Sequence, residues 1–231
     1  MPRYSEKQKV ALDALMKDEA YRSALEIIGV EGLHGLTVER LARRIGLSRA
    51  SLYNYFADRD AIVDFIEERT FEPVIAALEA IAAGEKSASA KLEAIANEIF
   101  ASVRENFTLV VALSPDKYSG RDKRSQIRRR ERGLDLLRRV VRQGIASGEF
   151  REMSADRAGE ILFGTITGLI DNMAYSREYR KPGELVPTLM ALVLEGLQRK
   201  SGQAAGQPRR RRPPAAAKRR SAPGARAGSR R

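Results

Sequence analysis

The sequence predicts an all-α protein of about nine helices, on three observations. Apolar residues recur at three- and four-residue spacing in almost every segment. Short polar capping residues and glycine-containing turns separate many of those segments. No alternating strand pattern bounded by turns is present; the nearest, VVAL at 110–113, is too short to anchor a sheet.

Each element follows in chain order. Over residues 5–31, Val10, Leu12, Leu15, Ala20, Ala24, Leu25, Ile27 and Ile28 give one helix or two, closing at the glycine-rich GVEGLHG. Thr37 caps a short helix whose stripe is Val38, Leu41, Ala42 and Ile45, and Gly46 ends it. Ser48 caps the next, in which Leu52 and Phe56 share one side with Tyr55 at its edge. Ala50 and Asn54 point the other way, flanked by Ser51 and Tyr53. Asp58 caps a longer helix from Arg59 towards Ile81, interrupted by Pro73, where it should bend. SASAKLEAIANEIFASVREN and FTLVVAL follow as helices, the second stopped by Ser114-Pro115. A basic helix covers 121–147 and ends at Gly148, a natural C-cap. ADRAGEILFGTITGLIDNMAYS and ELVPTLMALVLEGLQR form the last two, separated at Lys181-Pro182-Gly183.

Composition bounds the function. A chain of 231 residues with 43% hydrophobic residues can build one or two packed domains. No apolar run approaches the roughly 20 residues that cross a bilayer, and MPRYSEKQKV lacks the apolar stretch of a signal peptide, so a cytoplasmic location is expected, with no membrane partner. With no cysteine and a single histidine, His34, there is no thiolate or histidine-cluster metal site, and no cofactor is expected. Enzyme chemistry is excluded on the same grounds: GIASG is not a nucleophile elbow, and no phosphate-loop or dinucleotide motif occurs.

The formal charge of +12 is concentrated. Ten of the 42 Lys and Arg lie in residues 201–231, a stretch without acids, aromatics or branched aliphatics, which predicts a basic disordered tail. Ten more face three acids in 121–142. There Arg128, Arg129, Arg130 and Arg132 read either as an anion site or, more simply, as a solvated face with scattered salt bridges.

Residues 37–59, TVERLARRIGLSRASLYNYFADR, raise a sharper question, because helices of about eight residues are marginal unless packed together. Two such helices joined at Gly46-Leu47-Ser48 suggest a helix-turn-helix, whose second helix lies in the major groove. Arg49 suits phosphate or the O6/N7 edge of guanine, Asn54 the edge of adenine, and Tyr53 and Tyr55 can donate hydroxyls to phosphate. Ser48, Arg49 and Ser51 crowd the positive end of that helix. Five arginines against Glu39 and Asp58 add a local charge of +3, although an ordinary helical hairpin with a solvated face would look similar.

The stretch TVERLARRIGLSRASLYNYFADRDAI, preceded by ALEIIGVEGLHGL, closely resembles the DNA-binding domain of the TetR (tetracycline-repressor-like) family of bacterial transcriptional regulators. Thr37, Gly46, Leu47, Ser48, Leu52, Tyr53, Tyr55, Phe56 and Arg59 occupy the family's positions, with Arg59 in place of the commoner lysine. The resemblance implies that Thr37, Ser48, Tyr53, Tyr55 and Arg59 meet phosphates, while Arg49, Ala50, Ser51 and Asn54 face bases. It further implies a three-helix DNA-binding domain over 1–60, an effector-binding and dimerisation domain over 61–200, and a homodimer that leaves a palindromic operator when a small-molecule effector binds.

Candidate effector contacts are Phe71, Ile75, Phe100, Val103, Phe107, Leu134, Leu137, Val141, Phe163 and Thr167. Candidate dimer contacts are Gly164, Gly168, Ile170, Leu189, Leu192, Val193 and Leu197, since the last two helices carry more apolar surface than a monomer's outer helix needs, although burial within the same chain would also explain it. Gly164 and Gly168 each cost about 1 kcal/mol inside a helix, which suggests close approach of another backbone. An architectural DNA binder relying on the basic tail is the alternative function.

Overall fold

The computed structural model describes residues 5–113, 124–175 and 185–198. Among them are nine α-helices: α1 Glu6–Glu31, α2 Val38–Arg44, α3 Arg49–Tyr53, α4 Arg59–Ala83, α5 Ala88–Glu105, α6 Phe107–Ala112, α7 Arg124–Ala146, α8 Ala155–Tyr175 and α9 Leu185–Leu197. A 3-10 turn, Leu33–Gly35, stands between α1 and α2. No strand occurs among the described residues, where one isolated β-bridge pairs Phe150 with Gln198. The calls at 114–115 and 181–183, and the basic tail at 201–231, lie outside the described residues.

The caps follow local chemistry. Ser5 and Gln8 form a capping box, each side chain taking up the other's backbone N–H. Thr37, Ser48, Asp58 and Ser87 each accept the N–H three residues on, at the starts of α2, α3, α4 and α5. Residues 5–31 form a single helix whose first half is bare: Val10 is 68% and Leu15 65% exposed. Neighbouring helices cover α1 only from about Met16 onward, so the apolar spacing before that point marks no core.

Two apolar clusters hold the chain together. The first joins Ala20, Ala24, Ile27 and Ile28 of α1 to Val38, Leu41 and Ala42 of α2, Leu52 and Phe56, and Ile62, Val63 and Ile66 of α4. Leu109 of α6 and Leu113 complete it. The second gathers Ile75 and Leu78 of α4, Leu92, Ile95 and Phe100 of α5, Leu136, Val140 and Val141 of α7, Leu162 and Ile166 of α8, and Leu189 and Met190 of α9. Helix α4 therefore runs through both clusters. Helix α6 also touches both, since Phe107 and Val110 pack against the second.

Helices α7 and α8 cross closely at Gly159. A β-carbon there would lie 3.1 and 3.2 Å from backbone atoms of Arg138, so only glycine lets the two backbones meet. The end of α9 is tied to the loop before α8, where Arg151 N–H donates to the Leu197 carbonyl at 2.9 Å.

Candidate nucleic-acid interface

The corner between α2 and α3 is built from the backbone outward. Leu47 N–H donates to Ala42 O at 2.8 Å and Gly46 N–H to Arg43 O at 3.3 Å, the paired bonds of a Schellman ending. That ending puts Gly46 at φ +73°, a left-handed conformation that L side chains rarely adopt. Two residues later, Ser48 Oγ accepts the Ser51 N–H at 3.0 Å and opens α3. Leu52 and Phe56 are buried and anchor the helix from beneath.

What remains outside is the expected ridge. Arg49, Ala50, Tyr53 and Asn54 are exposed, and Ser51 is partly so. Arg49 donates to the Tyr53 hydroxyl at 2.9 Å, lies 5.4 Å from that ring's centroid, and pairs with Glu39 of α2 at 2.9 Å. The Tyr53 bond first, and Glu39 second, raise the Arg49 pKa above its ordinary value. Its guanidinium stays a cation, and the exposed Glu39 pair is weak enough for phosphate or a base edge to displace.

Tyr55 and Arg59 have structural partners of their own. The Tyr55 hydroxyl donates to Asp13 Oδ1 of α1 at 3.0 Å, a bond that, ahead of burial, raises its pKa. Arg59 donates from Nε to Leu36 O at 2.8 Å and from Nη2 to Leu33 O at 2.6 Å, tying the start of α4 to the turn before α2. In this geometry both residues brace the motif from within the chain. A lysine at 59 has no planar fork with which to hold two carbonyls in this way.

The charge of the motif is also altered by its surroundings. Arg40 pairs with Glu31 and Arg44 with Glu26, acids on α1 that a count over residues 37–59 leaves out. An open groove of about 670 Å³ runs beside α2 between Glu31, His34, Thr37, Glu39, Arg40 and Arg43. Among the described residues no cluster of three or more His, Cys, Asp or Glu can hold a metal ion.

The other candidates scatter. Ile75, Phe100, Val103, Leu137 and Val141 are buried in the second cluster, Phe107 and Phe163 are packed against it, and Leu134 is half-buried. Phe71 lies under the Arg129 guanidinium at 4.6 Å, and Thr167 Oγ1 donates to Phe163 O of its own helix. Of these effector candidates only Leu137 lines the void of about 10 Å³ that it shares with Leu92, Ala96, Leu162, Ile166 and Leu189, room for one water at most. Of the dimer candidates, Leu189 and Leu197 are buried in the chain's own core, because their side of α9 faces α5, so neither is part of an open surface. Ile170 and Val193 are half-buried against that core. Leu192 is 69% exposed, Gly164 is exposed, and added β-carbons at Gly164 or Gly168 would meet nothing within 4 Å.

Residues 21–65 match the family described as "Bacterial regulatory proteins, tetR family". The match spans the second part of α1, the whole Gly46 corner and the first two turns of α4. Residues 21–65 thus carry the DNA-binding domain of that family, whose members are DNA-binding transcription factors without enzymatic activity. The chain is 22% identical over 181 residues to the "Fatty acid metabolism regulator protein" of Bacillus subtilis, covering 77% of this chain and 93% of the relative. Over 57 residues it is 35% identical to the class C tetracycline repressor protein of Escherichia coli, covering 25% of this chain and 26% of that one. Its fold is that of the Bacillus subtilis regulator FadR solved with stearoyl-CoA, at a TM-score of 0.67 and 21% identity over 78% of this chain and 98% of that one. No helix among the described residues is long and apolar enough to cross a membrane.

Proposed function

We propose that this chain is a homodimeric repressor that grips a palindromic operator with the exposed ridge of α3 and releases it when a fatty-acyl effector binds. The observation that carries the reading is the ridge itself: Arg49, Ala50, Tyr53 and Asn54 face outward from a helix whose other side is anchored by Leu52 and Phe56. Arg49, Ala50, Ser51 and Asn54 face base edges, and Thr37, Ser48 and Tyr53 meet phosphate. Tyr55 and Arg59 hold the ridge at its working angle. Two such ridges must sit about 34 Å apart to enter successive major grooves, which a twofold dimer supplies.

The dimer reading is supported by the open strip of α8 and α9. Ile161 of α8 and Leu192 of α9 are each 69% exposed, and Gly164 of α8 is exposed with open space where a β-carbon would stand. An acyl effector is supported by the kinship with the Bacillus subtilis regulator and by the apolar side chains of α5, α7 and α8, which a ligand must part to enter. A ligand that favours the wrong spacing of the two ridges then releases the operator.

The test begins with genomic fragments selected by the purified protein. A recovered palindrome is the expected product, and Arg49→Ala and Asn54→Ala should each weaken binding to it by about 1–3 kcal/mol, the value of a good base contact. Palmitoyl- or stearoyl-CoA should release the fragment. Equal competition by random DNA, or alanine variants that bind as well as the parent, would overturn the reading.

A further inference from the structure

Helix α4 has a weak point where it passes from one apolar cluster to the other. Ile62, Val63 and Ile66 belong to the first cluster, and Ile75, Leu78 and Ala82 to the second. Between them stands Pro73, which has no N–H to give to the carbonyl of Arg69, so the helix lacks a backbone bond at the junction. Something else has to make the two halves move together.

One arginine of α7 spans that point, and a second packs on the turns before it. Arg132 donates from Nη1 to both oxygens of Glu72, at 2.9 and 2.7 Å, and from Nε to Glu79 Oε1 at 3.1 Å. One planar guanidinium thus holds a carboxylate on each side of Pro73. Three residues earlier on α7, Arg129 lies over the Phe71 ring and 3.5 Å from the carboxylate of Glu67, which is 0% exposed. The arginine run of α7 is therefore turned partly onto α4: Arg129 lies over Phe71 beside the buried Glu67, while Arg132 makes partly exposed salt bridges of the kind the second reading of the run expected.

We propose that Arg132 is a positioning residue for DNA binding: it splints α4 across Pro73, so that a displacement of the second cluster reaches the DNA-binding motif as one rigid movement. The proposal rests on the reading that α3 grips an operator, but the splint itself can be tested without DNA. Isolated surface ion pairs contribute little, whereas a guanidinium shared by two carboxylates on one helix constrains both at once. Lysine keeps the charge but lacks the planar fork whose separate nitrogens hold Glu72 and Glu79 in fixed geometry.

Hydrogen exchange of the full chain, read by mass spectrometry, tests the splint. Arg132→Gln and Arg132→Lys should both speed exchange over residues 70–79 by roughly three- to tenfold, with α9 unchanged. Glu72→Gln and Glu79→Gln should do the same, and the double variant Arg132→Gln/Glu72→Gln should exchange no faster than Arg132→Gln alone. Full protection in Arg132→Gln, rescue by lysine, or additive effects of the pair would overturn the proposal. On a fragment selected by the parent protein, Arg132→Gln should bind several-fold more weakly although α3 is untouched. Faster exchange with unchanged affinity would overturn the positioning role, while a parent chain that selects no fragment would count against the operator reading and leave the exchange result standing.

Discussion

Replacing Gly164 with alanine adds one methyl group to α8 at a place where, apart from its chain neighbours and the backbone of its own helix turn, it would meet nothing within 4 Å. In an isolated protomer the change should stabilise, because alanine is better than glycine inside a helix by about 0.8–1.0 kcal/mol. Against a closely packed second copy the sign reverses. An extra methyl in a filled interface costs about 1–3 kcal/mol, and twofold symmetry applies the cost at both copies. Sedimentation equilibrium over a dilution series separates the two cases. The expected result is a dimer dissociation constant raised at least about tenfold, equivalent to some 1.4 kcal/mol, with a protomer that unfolds no more easily than the parent. Gly159→Ala is the control, since its methyl would meet the Arg138 backbone at 3.1 Å and should destabilise the protein at every concentration. A Gly164→Ala protein that is more stable and equally dimeric would refute close packing across α8.

Two further outcomes follow from charge. Glu149 accepts the N–H groups of Ala88 and Ser89 at 2.8 and 2.9 Å; burial alone would raise its pKa, and these bonds overcome it and hold the carboxyl below its ordinary value. A depressed carboxyl contributes stability above the unfolded pKa of about 4.3 and loses it as pH falls through the lower folded value. Glu149→Gln should therefore cost about 1–2 kcal/mol in urea unfolding at pH 7, and the gap should close as the pH falls below 4. A gap that persists in acid would show that the carboxylate charge is not what matters. For the tail, a chain ending at residue 200 should bind DNA with a shallower dependence of log K on log salt, by about 0.9 for each tail cation that had met a phosphate. An unchanged slope would remove the tail from the interface.

The helix-turn-helix was legible because its signals are local. Thr37, Ser48 and Asp58 cap the helices that follow them, Gly46 takes the left-handed corner, and the Leu52–Phe56 spacing separates the anchored side from the exposed one. The partners of its polar groups were not legible. Asp13 lies 42 positions before Tyr55, and Leu33 O lies 26 before Arg59. Nothing in the spacing of a hydroxyl or a guanidinium says whether a phosphate or the chain itself will meet it.

The same divide runs through the rest of the molecule. Helical periodicity reports that a face is apolar but not what covers it: Leu189 and Leu192 stand three positions apart on α9, one buried in the core and the other 69% exposed. The amino-acid order alone determined the helices, the caps that start several of them and the chemistry offered by α3, because caps, turns and periodicity act over a few residues. Which arginines are spent on Glu26, Glu31, Glu67, Glu72 and Glu79, which glycine admits a neighbouring backbone, and which leucines stay in water were decided only when distant helices packed. Ion pairing and burial depend on separation in space, and sequence distance does not set it.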